Sequence, residues 1–193
     1  MDKQTPMYKG LLELNKYFEK SGHPNVTLDV IGGFALIIHG IKDAYVTDID
    51  YVGNDIFSYE DMKVIDQIGV KHGLGRGWIN NDVMLSGSTV EDLEISVGKL
   101  HFEEAFSLSH INVRVLDKKD LLRLKVIAVD TSLAALEFGG EFTRVKDLPD
   151  IKALMDDADM DILSLEMELW KDCDISDKTW EVIDEYLRGG CER

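Results

Sequence analysis

Two aspartates, Asp48 and Asp50, are the residues of this 193-residue chain that are best placed to do chemistry. Only Ile49 separates them, and residues two apart on a β-strand point to the same face of its sheet. Two carboxylates on one face repel each other unless a cation or a proton lies between them. Because Mg²⁺ takes one or two carboxylates together with substrate phosphates, the spacing predicts a magnesium site that receives a phosphorylated ligand.

A pair of glycines, Gly32 and Gly33, follows an apolar segment and precedes Asp48 by about fifteen residues. Glycine has no Cβ, so its backbone can turn sharply and approach another group closely. Successive backbone amides in such a turn can form a concave site for an anion. The glycine pair therefore predicts a phosphate-binding turn next to the two aspartates.

A lysine on an apolar helix face is the second unusual feature. Lys125 lies in a predicted helix, and its neighbours three and four positions away are Leu121, Leu122, Ala128 and Val129. A lysine there is costly unless its charge meets a carboxylate, a phosphate or a cleft. The alternative is that its stem packs while its ammonium group reaches water. The same spacing predicts that Arg123 faces water.

Two further acids, Asp147 and Asp150, follow in the segment Arg144-Val-Lys-Asp-Leu-Pro-Asp. The proline predicts the first turn of a helix, so Asp147 could serve only as its N-cap and Asp150 as a first-turn acid. The alternative is that one or both carboxylates orient Lys125 or a substrate.

The order of predicted elements favours an α+β fold, a mixed β-sheet with flanking helices followed by a helical C-terminal half. Strands are predicted at 26–31, 48–52, 93–97 and 111–116, and helices at 8–20, 34–39 and 61–73. Residues 73–81 are predicted to form a glycine-rich loop, and the chain after Lys118 is predicted to be nearly all helical. The boundary near Asp117 divides the chain into domains 1–116 and 117–193.

The formal net charge is −16, and the segment from Asp156 to Arg193 carries 13 acidic and 4 basic residues. This negative field argues against non-specific nucleic-acid binding. The acidic tail is interpreted either as a solvated helical face or as a docking surface for a basic partner protein. The sequence has no apolar run of membrane-spanning length, no secretory signal and only two cysteines, so we expect a cytoplasmic protein without membrane contact.

Three blocks of sequence resemble the minimal nucleotidyltransferase superfamily. They are Ile31–Asp50 with its glycines and Asp-x-Asp pair, Gly75–Asp82 with its Gly-Trp-Ile-Asn element, and Leu121–Asp150 with its lysine helix and Arg-x-Lys-Asp-x-x-Asp segment. The chain is most similar to the bacterial DUF6036-type branch, which is related to the AbiEii and MenT toxin group. The resemblance covers roughly residues 26 to 155.

The resemblance implies a nucleotidyltransferase-like core at 1–116 and a toxin-like or defence-associated enzyme that moves a nucleoside monophosphate from an NTP to an acceptor. The acceptor could be tRNA, a protein or a small molecule. Asp48 and Asp50 would hold Mg²⁺. A third metal carboxylate is expected, either Glu94 on the predicted strand 93–97 or Asp82 in the preceding loop.

The resemblance also implies roles for the other candidate residues. The turn at Gly32 and Gly33 would lie against the β and γ phosphates, and Lys125 would place a positive charge on the triphosphate. Asp147 and Asp150 would orient Lys125 or the acceptor. Gly33 stands where the superfamily often has serine. The alternative is therefore a catalytically weak or inactive relative that acts as a nucleotide- or partner-binding module. An unrelated acidic α/β protein is the third interpretation.

Overall fold

The computed structural model describes residues 5–43, 46–53, 57–82, 94, 98–169 and 173–189. Within these ranges the protein is α+β, with one five-stranded mixed sheet and seven α-helices. The contacts divide the chain into two compact units. The first comprises Met1–Leu93 and Leu100–Asp117, and the second comprises Glu94–Lys99 and Lys118–Arg193.

Three helices belong to the first unit, α1 (Pro6–Ser21), α2 (Gly32–Ile38) and α3 (Tyr59–Lys71). Local signals explain where α1 and α3 begin. The hydroxyl of Thr5 accepts a hydrogen bond from the backbone of α1, and Ser58 with Asp61 forms a capping box at α3. Gly22, in the left-handed conformation at φ +69°, ends α1.

The sheet contains β1 (Val26–Ile31), β2 (Ile49–Val52), β3 (Ile79–Asn80), β4 (Phe102–Ser107) and β5 (Ile111–Leu116). Its strand order is β3-β2-β1-β5-β4. The pairs β1–β2 and β4–β5 are antiparallel, whereas β1–β5 and β2–β3 are parallel. The strand that carries Asp50 therefore lies between β1 and β3.

The two faces of the sheet differ in polarity. Val30 and Tyr51 are paired and buried, and the Tyr51 ring lies 6.0 Å from that of Phe57, which in turn stacks on Phe18 of α1. This face is packed under the helices. Since side chains alternate along a strand, Asp29 and Arg114, its register partner on β5, lie on the opposite face, which is the more polar one here.

The second unit is helical throughout its described part. It contains α4 (Lys118–Glu137), a 3₁₀ turn (Arg144–Asp147), α5 (Leu148–Asp157), α6 (Ile162–Leu169) and α7 (Asp177–Leu187). Among the described helices, none has both the length and the apolar character that a membrane crossing requires.

The α+β class is confirmed, but the strand predicted at 93–97 is wrong at Glu94. Glu94 is helical, and its carbonyl accepts a hydrogen bond from the backbone of Gly98 at 2.8 Å, the spacing of an α-helical turn. The rest of that predicted strand lies outside the described residues. The strands β3 and β4 were not predicted. The division into domains 1–116 and 117–193 stays a prediction.

The last helix is anchored to α4 by one carboxylate. Oδ1 of Asp130 accepts hydrogen bonds from the amide of Ser176 at 3.0 Å, from its hydroxyl at 2.6 Å and from the hydroxyl of Thr179 at 2.7 Å. Burial raises the pKa of Asp130, but the bonds from Ser176 and Thr179 outweigh it, so the pKa is lowered overall.

We expect Asp130→Asn to reduce the free energy of unfolding at pH 7 by about 1 kcal/mol, because a neutral amide oxygen accepts the three hydrogen bonds more weakly than a carboxylate does. Because the folded pKa is lowered, this stabilisation is present above the unfolded pKa and is lost as pH falls through the folded value. Urea unfolding at several pH values should show the two proteins converging below about pH 4. The exposed Asp174→Asn is the control and should change little. A pH-independent difference between Asp130→Asn and the wild type would contradict this role.

Candidate functional site

Asp50 lies directly against the backbone of Gly32. The antiparallel pairing of β1 and β2 places Asp50 opposite Ile31, the residue before the glycine. Gly32 has a φ of +68°, and a Cβ at this position would lie only 2.6 Å from Oδ2 of Asp50. Both the backbone conformation and the space at this turn therefore require glycine.

The alternation predicted for the Asp-x-Asp pair agrees with the burial of β2. Ile49 is fully buried, Asp50 is half-buried, and Asp48, immediately before the strand, is exposed. The first unit thus presents a glycine turn, a carboxylate in contact with it and an exposed carboxylate two residues away. These are hard oxygen donors beside a backbone that an anion can approach, which fits Mg²⁺ with a phosphorylated ligand.

Asn80 is a site neighbour that sequence reasoning missed. It pairs in register with Asp50 across β2 and β3. Its Oδ1 accepts a hydrogen bond from the amide of Asp82 at 3.1 Å, and its side-chain amide donates to the carbonyl of Gly77 at 3.3 Å. Asp82, one of the two candidates for a third carboxylate, is exposed and lies two residues beyond this partner of Asp50.

An ion pair occupies the same polar face. Arg114 binds Asp29 with two nitrogens, at 2.6 and 2.5 Å, and its guanidinium lies 5.7 Å from the centre of the Phe102 ring. The hydrogen bonds to Asp29 raise the pKa of Arg114. The positive charge of Arg114 on β5 is thus balanced by Asp29 on β1, the strand next to β2.

Lys125 forms a buried charge cluster in the second unit. Its Nζ lies 2.5 Å from Oδ1 of Asp147 and 3.0 Å from Oδ2 of Asp150. The exposed fractions of the three side chains are 12%, 2% and 7%. The cost of burying the charge of Lys125 on an apolar helix face is thus offset by two carboxylates, and not by an ammonium group that reaches water.

Asp147 is more than a helix cap. It occupies the N-cap position of α5, but its side chain makes no capping hydrogen bond. Its carboxylate instead binds Lys125 and lies 3.5 Å from NH1 of Arg144. Two cations and two anions meet here, so the cluster of Lys125, Arg144, Asp147 and Asp150 is formally neutral.

The prediction that Arg123 faces water is wrong. Arg123 is 8% exposed. Its guanidinium binds the carboxylate of Asp120 at 2.9 Å and donates a hydrogen bond to the carbonyl of Lys99 at 2.5 Å. Helical spacing alone could not show this, because the contact comes from segment 94–99, which packs with the helical unit. Gly98, at φ +80°, allows the close approach, since a Cβ there would lie 2.9 Å from NH1 of Arg123.

The predicted site residues thus form two groups. The first unit contains the glycine turn, Asp48, Asp50 and Asp82, and the second contains Glu94 and the cluster around Lys125. Within the first group, Asp50 and Gly32 are brought into contact. Within the second group, the lysine and both of its predicted partners are brought together.

Comparisons with known proteins add no relative. No protein-family model matches the chain, and neither a curated protein nor a solved structure matches it. The resemblance to nucleotidyltransferases therefore depends on the three sequence blocks, and the function must be argued from the residues.

Proposed function

We propose that this protein is a Mg²⁺-dependent nucleotidyltransferase that moves a nucleoside monophosphate from an NTP to an acceptor hydroxyl. The observation that carries the proposal is the contact between the carboxylate of Asp50 and the backbone of Gly32. A metal carboxylate and a turn that an anion can approach are thereby adjacent, with Asp48 exposed beside them. This arrangement suits a metal-bound triphosphate better than a free carboxylate or sugar ligand.

In this proposal the residues of the first unit bind and orient the donor. Asp48 and Asp50 supply the oxygen ligands, and the backbone at Gly32 and Gly33 accommodates the outer phosphates. When bound, Mg²⁺ would neutralise the charge that develops on the triphosphate. The oxygen of the acceptor hydroxyl forms a bond to the α-phosphorus and its proton passes to water, while the bond from the α-phosphorus to the bridging oxygen breaks and pyrophosphate leaves with the electron pair.

Lys125 has a distinct proposed role. Asp147 and Asp150 hold its ammonium group at 2.5 and 3.0 Å, so the lysine is oriented before any ligand binds. A preorganised charge stabilises a transition state without the cost of reorganisation. Asp147 and Asp150 are therefore proposed as positioning residues for Lys125.

One pair of observations favours a second candidate, a nucleotide-binding protein without turnover. The charge of Lys125 is already balanced by buried carboxylates, and the partner of Asp50 in β3 is the amide of Asn80 rather than an acid. Such a site would carry fewer metal ligands and a less available positive charge than an efficient transferase needs.

Calorimetric titration of each NTP with and without Mg²⁺ tests the proposed site. We expect one NTP to bind only with Mg²⁺, and the isosteric double variant Asp48→Asn/Asp50→Asn to bind it at least about tenfold more weakly, because it loses both anionic ligands. Glu19→Gln, which removes an exposed carboxylate from α1, is the matched control and should bind like the wild type.

A second assay distinguishes transfer from binding alone. Pyrophosphate release is measured with the bound NTP and a tRNA, a protein or a small hydroxyl compound as acceptor. Acceptor-dependent release supports the transferase, whereas metal-dependent binding without release under all three conditions supports the second candidate. If no NTP binds, both proposals are rejected.

A further inference from the structure

Helix α6 is apolar on two sides. Its inner side buries Leu165 and Leu169, which are 2% and 5% exposed. Its outer side presents Leu163 and Met167, which are 65% and 69% exposed. Residues four apart are neighbours on a helix surface, so the two outer side chains form one continuous apolar strip. A helix that is apolar on both sides normally has a partner on each.

The surroundings of this strip are strongly acidic. No lysine or arginine occurs between Lys152 and Lys171, although six acidic residues lie there. Three of the six are paired with lysines: Asp156 with Lys152, Asp157 with Lys118 and Glu168 with Lys119. The other three, Asp159, Asp161 and Glu166, form no ion pair with any residue in the described part of the chain.

We infer that the α6 patch, defined as Leu163, Met167, Asp159, Asp161 and Glu166, binds a basic amphipathic helix of a partner protein. The apolar strip supplies the contact area, and the three unpaired carboxylates supply charge complementarity. A second copy of this chain is a poor occupant, because each copy has a net charge of −16 and the patches themselves would repel.

A pocket of about 170 Å³ lies beside the inner side of α6 and is lined mainly by apolar side chains, among them Leu122, Leu154, Leu165 and Leu169. This inference concerns binding of a protein and does not depend on nucleotidyl transfer.

The test uses the full chain and a synthetic helix of about five turns with leucines along one face and lysines elsewhere. Fluorescence anisotropy of the labelled peptide should show saturable binding to the wild type. Leu163→Gln/Met167→Gln should weaken this binding at least about tenfold, because two apolar anchors are lost. Phe138→Gln, which removes an 89% exposed apolar side chain from the same unit, should leave the binding unchanged.

A second pair of variants examines the charges. Asp159→Asn/Glu166→Gln should weaken binding several-fold, and the loss should shrink as salt is raised to about 0.5 M. Glu137→Gln/Glu141→Gln removes the same charge from exposed positions outside the patch and is the control. Circular dichroism and the thermal midpoint verify folding, and Met167→Gln alone serves as a milder variant if the double variant is unstable.

Three results would overturn the inference. The first is absence of binding by the wild type. The second is non-specific charge attraction. It would be shown if the protein bound a scrambled peptide of the same composition as tightly as the original peptide, or if the Leu163→Gln/Met167→Gln variant bound the peptide as tightly as the wild type. The third is sedimentation that shows self-association of the wild type, abolished by the same variant, because a second copy would then be the occupant.

Discussion

Lys125→Met is expected to reduce the free energy of unfolding by about 3–5 kcal/mol, the effect of breaking a buried ion pair by removing one partner. The substitution keeps the apolar stem of the side chain but removes the charge. Asp147 and Asp150, which are 2% and 7% exposed, would then lose the cation they share, and the more exposed Arg144 pairs with Asp147. Urea unfolding at pH 7, followed by circular dichroism, measures the change.

Two further variants show whether the loss of stability comes from uncompensated buried charge. Lys152→Met breaks the exposed pair with Asp156 and should cost less than about 1 kcal/mol. Adding Asp147→Asn and Asp150→Asn to Lys125→Met should recover part of the lost stability, because the buried anions are removed with the cation. A loss of the same size in Lys152→Met, or no recovery in the triple variant, would contradict the ion-pair explanation.

Gly32→Ala is expected to be a strongly damaging change in the first unit. An alanine at φ +68° costs about 1–2 kcal/mol in backbone energy. Its Cβ would also lie 2.6 Å from Oδ2 of Asp50, which adds an overpacking cost of about 1–3 kcal/mol. We expect both a lower free energy of unfolding and loss of Mg²⁺-dependent NTP binding, measured by urea unfolding and calorimetry.

The chain offers a matched control for this prediction. Gly22 has nearly the same φ, +69°, but a Cβ there would meet nothing within 4 Å. Gly22→Ala should therefore show the backbone cost alone. In an Asp50→Ala background, Gly32→Ala should cost no more than Gly22→Ala, because the colliding carboxylate is gone. If the cost is unchanged in that background, the proximity of Asp50 and Gly32 is not its cause.

Elements with strong local signals were predictable from the sequence. The helix predicted at 8–20 is observed as Pro6–Ser21, and the strand at 26–31 is observed with the same bounds. Thr5 and Gly22 mark the ends of that helix within a few residues of sequence, so no distant contact is needed to place them. The helix at Tyr59–Lys71 is similar, because Ser58 and Asp61 cap it locally.

The elements that were missed depend on distant pairing. Strand β3 has two residues, and only its pairing with β2 defines it. Strand β4 carries Glu103 and Glu104 and has an irregularity between Glu104 and Phe106, so its sequence lacks the alternation that predicts a strand. Its pairing with β5 forms the strand in spite of this pattern.

Some features of the candidate site were also predictable from the sequence, and others were not. The cost of a lysine on an apolar helix face predicted a charge partner for Lys125, and Asp147 and Asp150 occupy that role. Nothing in the sequence places Asn80 beside Asp50, since register between strands is a property of the sheet. The burial of Arg123 was unpredictable for a similar reason, because Lys99, whose carbonyl it binds, is 24 residues away in sequence and lies outside the helix.

The packing of segment 94–99 with the helical unit has a consequence for biosynthesis. These residues leave the ribosome well before Arg123, which donates a hydrogen bond to the carbonyl of Lys99 in the folded protein. The segment must wait without its partner while β4 and β5 are made, so the second unit cannot be completed until the helix that carries Arg123 has also been made. A fragment that ends at Asp117 would carry this segment without the helix that receives it, and such a cut is a poor choice for expressing the sheet-containing unit alone.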